Sequence, residues 1–117
     1  MDIICKIRDI YKLIGEFEGQ FYKEYGITLN EGMLLCSLLE KKTLSSTELA
    51  KNLGLTCSNT SKVIKSVEEQ GFVERELGKE DKRQMYFTLT KKGSEHITAV
   101  KNSKINIPKE LKSHIRL

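Results

Sequence analysis

The segment LSSTELAKNLGLTCSNTSKVIKSVEEQG, Leu44 to Gly71, leaves the chain little choice of structure. Ser45 and Glu48 have the S-x-x-E spacing of a capping box, in which a hydroxyl and a carboxylate satisfy orphan amides at a helix start. The short helix that follows through Leu49 and Ala50 is expected to end at Gly54, and Thr56 can cap another helix after only Leu55. In that next helix, predicted to reach about Gln70 and to stop at Gly71, Thr60, Val63, Ile64 and Val67 recur at i, i+3, i+4 and i+7 and form one inward stripe. Ser58, Asn59, Ser61, Lys62 and Lys65 then point outward near its N-terminus. Two helices, short then longer, across the tight link Asn52-Leu-Gly-Leu-Thr56 are the sequence form of a helix-turn-helix.

Beyond Gly71 the period changes from helical to alternating. Phe72, Val73 and Leu77 begin one strand, and Met85, Phe87 and Leu89, interleaved with Tyr86, Thr88 and Thr90, make a second. GKEDKRQMY, Gly78 to Tyr86, is then the charged turn of a hairpin. Thr90-Lys-Lys-Gly93 starts a further helix carrying Ile97 and Val100, and Pro108 suits the first turn of a last short helix with Leu111 and Ile115. Upstream, Thr28 and Glu31 repeat the capping-box spacing before a helix to about Lys41, whose apolar side is Met33, Leu34, Leu35, Leu38 and Leu39. Leu44 falls in a short extended piece.

The opening segment reads as a long helix from about Asp2 to Tyr25, ended by Gly26 as a left-handed cap. Ile3, Ile7, Ile10, Ile14, Phe17 and Phe21 alternate spacings of four and three, a heptad seam. Ile4, Tyr11, Leu13, Tyr22 and Tyr25 widen the apolar face beyond what one neighbouring helix covers, which points to a second subunit; a single wide face on a buried helix is the plainer alternative. Gly15 and Gly19, four apart, would let another helix approach closely.

With 117 residues, one compact domain with a single core is expected. Hydrophobic residues at 38% and charged residues at 31% suit a soluble globular chain, and the opening MDIICKIRD has too short an apolar run for a signal peptide or a spanning segment, so a cytoplasmic location is expected. Cys5, Cys36 and Cys57 fit no zinc spacing, and their odd number argues for reduced thiols. The net charge of +4 is uneven: residues 1–41 carry −2, residues 42–93 carry +3 and residues 94–117 carry +3. That asymmetry is compatible with a nucleic acid and equally with an ordinary solvated surface. His96 and His114 have no ligand-spaced partner and read as surface residues, and no phosphate loop or nucleophile elbow occurs. Neither an enzyme nor a cofactor nor a metal is expected.

The order of helices, helix-turn-helix, hairpin and helix is that of a winged helix, mainly α with a small β-hairpin (α+β). Here the residues resemble one family, the MarR-type (multiple antibiotic resistance regulator) transcription factors. The resemblance runs over residues 26 to 93, and its most specific part is Gly71-Phe-Val-Glu-Arg75 followed without insertion by Asp81-Lys-Arg83. It implies a single winged-helix domain over residues 1–117, with residues 1–25 and 94–117 as dimerisation helices and a wing over about residues 72–90. Three departures stand out: Glu76-Leu-Gly-Lys79 replaces the basic residue and prolines common early in the wing, Gln84 replaces a small residue, and the tail after Gly93 is short.

What the resemblance implies is a homodimeric, sequence-specific regulator of transcription, a repressor by expectation, on double-stranded DNA. The helix of residues 56–70 would lie in the major groove and the wing would reach the adjacent minor groove. Ser58, Asn59, Ser61, Lys62 and Lys65 then face bases and backbone, with Ser46 and Thr47 as phosphate contacts. Arg83 becomes the minor-groove residue, Asp81 the group orienting Arg83 or Arg75, and Lys79 and Lys82 phosphate contacts. Ile3, Ile7, Ile10, Ile14, Phe17, Leu111 and Ile115 are the dimerisation candidates, with Ile105 and Ile107 able to join them. Family members respond to small phenolic or lipophilic effectors or to oxidants through a cysteine. Cys5 lies where oxidant-sensing relatives keep their thiol, and Cys57 sits at a helix N-terminus where an exposed thiol is activated. Against DNA binding stands a winged helix used for protein contact, which Glu76 and Glu80 keep open.

Overall fold

A computed structural model describes residues 2–78, 80 and 83–115 of the chain. Helix α1 (Ile3–Tyr25) begins where the Asp2 carboxylate accepts from the Ile4 amide and ends at Gly26, whose φ of 71° only a residue without Cβ adopts at ease. Helix α2 (Leu29–Lys41) follows. Strand β1 (Leu44–Ser45) leads into α3 (Ser46–Leu53), closed by Gly54 at φ 67°, and α4 (Cys57–Glu69) begins at the Thr56 cap. Strands β2 (Val73–Leu77) and β3 (Met85–Leu89) form the hairpin, and α5 (Lys91–Asn102) and α6 (Lys109–Lys112) complete the chain. The extended piece at Leu44 turns out to be a true strand. It pairs antiparallel with β3, so the sheet has three strands in the order β1-β3-β2.

The chain separates into two compact units. One comprises the residues up to Leu29 and those from Lys104 on; the other runs from Asn30 to Ser103. In the first, α6 packs on α1 and Leu111 is buried. The first turns of the heptad seam stay in solvent, with Ile3 68% and Ile7 49% exposed, and so does Tyr11 on the widened face at 73%. In the second unit Leu34, Leu35 and Leu38 of α2, Leu49 of α3, Ile64 and Val67 of α4 and Phe87 of β3 are buried, each such side chain adding about 1.5–3 kcal/mol by leaving water. The inward stripe of α4 is as expected, with Thr60 also buried and its hydroxyl donating to the Thr56 carbonyl at 2.8 Å. Because α5 belongs to this unit, the expected boundary at Gly93 falls inside its first turn.

Several details depart from expectation. Met33, counted on the apolar side of α2, is 39% exposed. His96, expected on the surface, is half-buried and stacks on Phe72 with ring centres 4.9 Å apart. Within the two strands only Val73 of β2 and Phe87 of β3 are buried, and Leu77 is 58% exposed.

Lys42, just past α2, adopts φ 66° while its amide donates to the Leu38 carbonyl at 2.9 Å. A left-handed conformation costs an L-residue about 1–2 kcal/mol, partly offset by the entropy a glycine loses on folding. Lys42→Gly is therefore expected to stabilise the protein by about 0.5–1 kcal/mol. The check is a higher midpoint in thermal unfolding.

Candidate nucleic-acid interface

The helix-turn-helix corner is fixed by its caps. Ser45 Oγ accepts from the Glu48 amide at 3.1 Å while a Glu48 carboxylate oxygen accepts from the Ser45 amide at 3.0 Å, the reciprocal box predicted from spacing. The Ser45 backbone N–H, and after it the Ser45 hydroxyl, hold the Glu48 carboxyl below its ordinary pKa. Ser46 is half-buried and Thr47 exposed at the start of α3. Thr56 Oγ1 accepts from the Asn59 amide at 3.1 Å and sets the first turn of α4.

With Thr60, Ile64 and Val67 buried, the opposite face of α4 is left in solvent. Ser58, Asn59, Ser61, Lys62 and Lys65 are all exposed, and the first turn carries no carboxylate. The Ser61 hydroxyl donates to the Cys57 carbonyl at 3.0 Å, which leaves its lone pairs as acceptors. Such a row combines the N-terminal end of a helix, amide and hydroxyl groups, and two ammonium groups. Chemically it suits a polyanion with polar edges.

At the hairpin, Gly78 N–H donates to the Gln84 carbonyl at 2.8 Å, beyond the last paired residues Leu77 and Met85. Arg83 lies in the turn with its side chain exposed, and Glu76 and Glu80 are exposed too. Lys79, Asp81 and Lys82, given phosphate and positioning roles above, lie outside the described residues. Arg75 is engaged with α4. Its Nε donates to a Glu68 carboxylate oxygen at 2.7 Å and its Nη2 to the other, and the guanidinium lies 5.7 Å from the centre of the Phe87 ring, its cross-strand partner. The bond to Glu68 pushes the Arg75 pKa above its ordinary value. This fork ties the base of the wing to the end of α4. Glu68 was missed in the sequence, because a contact across a turn follows neither the helical nor the strand period.

Among the other candidates, Cys57 is exposed beside Ser58 and Cys5 is half-buried on α1; both are free thiols. Ile10, Ile14 and Phe17 are half-buried and Ile115 is 42% exposed. Around Gly15 and Gly19 no heavy atom of the described residues beyond the neighbouring residues and the surrounding helix backbone stands within 4 Å of where a Cβ would be.

The model of the MarR family matches residues 27–85, from the residues before α2 to the first residue of β3, and thus takes in the whole helix-turn-helix. The chain belongs to the MarR family. Its relatives include the HTH-type transcriptional regulator YkoM of Bacillus subtilis, 30% identical over 77% of this chain and 58% of YkoM. The HTH-type transcriptional regulator PapX of Escherichia coli is 28% identical over 91% of this chain and 66% of PapX. The chain thus spans less than two thirds of the length of either relative. Among solved structures, reduced AbfR bound to DNA superposes with a TM-score of 0.75 at 28% identity, over 84% of this chain and 73% of AbfR. S. aureus MepR in its DNA-binding conformation gives 0.78 at 20% identity, over 99% of this chain and 83% of MepR, a likeness of fold. The winged-helix architecture expected of this MarR-family chain is the one found.

Proposed function

We propose that this MarR-family protein is a regulator of transcription, and not an enzyme, that binds double-stranded DNA as a homodimer. The observation that carries the reading is the exposed, carboxylate-free row Ser58, Asn59, Ser61, Lys62 and Lys65 on a helix whose other face is locked in the core. In this reading α4 enters the major groove, Ser46 and Thr47 approach phosphate, and Arg83 reaches the neighbouring minor groove. The DNA-bound form of its relative AbfR supports the same partner. The exposed Ile3, Ile4, Ile7 and Tyr11 of α1 are the surface a second copy covers, which gives the two-fold symmetry of an inverted-repeat site. Occupying such a site blocks transcription, so the protein acts as a repressor, in the cytoplasm. No described helix is long and apolar enough to cross a membrane.

Phosphate contacts predict a steep dependence on salt. Fluorescence anisotropy of a labelled duplex is expected to show affinity falling by about a thousand-fold or more between about 50 and 200 mM salt. A flat salt response, or no duplex binding at low salt, would move the assignment to a protein-contacting winged helix using the exposed Glu76 and Leu77.

A further inference from the structure

The two ends of α4 are held very differently. At its start the side-chain hydrogen bonds found among the described residues are local: the Thr56 cap and the Ser61 hydroxyl on its own helix. At its end three other elements take hold. Arg75 of β2 grips Glu68, Lys92 Nζ of α5 donates to the Gln70 carbonyl at 2.9 Å, and Glu31 of α2 takes both Ser66 and Gln70. Glu31 is the unusual member, a carboxylate only 4% exposed. One of its oxygens accepts from the Ser66 hydroxyl and from the Gln70 side-chain amide, the latter at 2.7 Å. Gln70 also donates to the Ser66 carbonyl at 3.3 Å, which fixes the amide's orientation.

Leu34, Leu35 and Leu38 of the same helix show that α2 packs well with apolar side chains. Burying a carboxylate costs free energy unless hydrogen bonds return it, and an apolar replacement of similar volume is often as stable. What an apolar contact lacks is direction, because hydrophobic burial is non-directional whereas hydrogen bonds weaken steeply off axis. We infer that Glu31 is a positioning residue that sets the rotation and tilt of α4, so that the exposed row at its other end meets base edges in register. The role rests on the DNA-binding reading above. Base edges are read by hydrogen bonds of narrow geometry, whereas phosphate attraction tolerates small misalignment. Loss of Glu31 therefore lowers discrimination between sequences more than it lowers binding as such.

The test uses the full chain and two duplexes of equal length and composition, one enriched by the wild-type protein from a random-sequence library and its scrambled counterpart. The ratio of the two affinities is measured below the unfolding midpoint of every variant. For Glu31→Ala the ratio is expected to fall about ten-fold, a loss like that of one mismatched base pair, with the scrambled duplex bound nearly as before. Glu31→Gln, which keeps an acceptor oxygen at the same reach, restores most of the ratio. Should Glu31→Ala fail to fold, the paired change Glu31→Leu with Gln70→Leu refills the volume and leaves no buried polar group from either residue; it is expected to fold and still to lose the ratio. A folded Glu31→Ala variant, or a folded double-leucine variant, that keeps the full wild-type ratio overturns the role of Glu31. A wild type that enriches no duplex overturns the DNA-binding reading itself, and is seen before any variant is made.

Discussion

Gly93→Ala is expected to destabilise the winged-helix unit by about 3 kcal/mol, a loss typical of forced overpacking against a rigid neighbour. A Cβ at Gly93 would stand 2.0 Å from the Phe72 carbonyl oxygen and 2.8 Å from its carbon. That oxygen cannot swing aside cheaply, because it accepts from the Thr90 amide at 3.0 Å. The contact is where the first turn of α5 closes on the start of the hairpin, and Thr90 caps the same turn by accepting from the Gly93 amide. Denaturant unfolding followed by circular dichroism checks the expectation. Stability within about 0.5 kcal/mol of wild type would mean that α5 does not lie against the Phe72 carbonyl.

The second large effect concerns DNA. Arg83→Ala and Lys62→Ala are each expected to weaken duplex binding by about 1–3 kcal/mol, roughly five-fold to 150-fold in Kd. Their signatures differ. If Lys62 neutralises a phosphate, its removal lowers the slope of log affinity against log salt by about one and acts alike on all sequences. Arg83, proposed for a narrow minor groove, should matter more on A/T-rich flanks than on G/C-rich ones. Both residues are exposed, so thermal midpoints should stay near wild type. A matched loss of stability in either variant would assign that residue to folding.

The parts of this fold governed by neighbours in sequence were legible from the residues. Gly26 and Gly54 end their helices with positive φ, Ser45 and Glu48 close their box, and Thr56 caps α4, because each effect acts within one turn. The outward row of α4 follows from its inward stripe by helical geometry alone. Contacts between distant elements left no such trace. Glu31 has the spacing of a capping residue, yet it is also buried against Ser66 and Gln70, 35 and 39 positions away. The same limit explains the fork from Arg75 to Glu68 and the Gly93 approach. Leu77 alternates correctly for a buried strand and is nevertheless exposed, since alternation says which side a residue faces and not whether anything covers that side.

The central claim is that α4 reads a DNA sequence, and selection of duplexes from a random-sequence library tests it most directly. The expected result is one enriched motif, an inverted repeat whose half-sites lie about 10–10.5 base pairs apart or at a multiple of that spacing, lost when Asn59 and Lys62 are both replaced by alanine. A library that comes through selection with no enriched motif, or a motif that survives the double replacement unchanged, would contradict it.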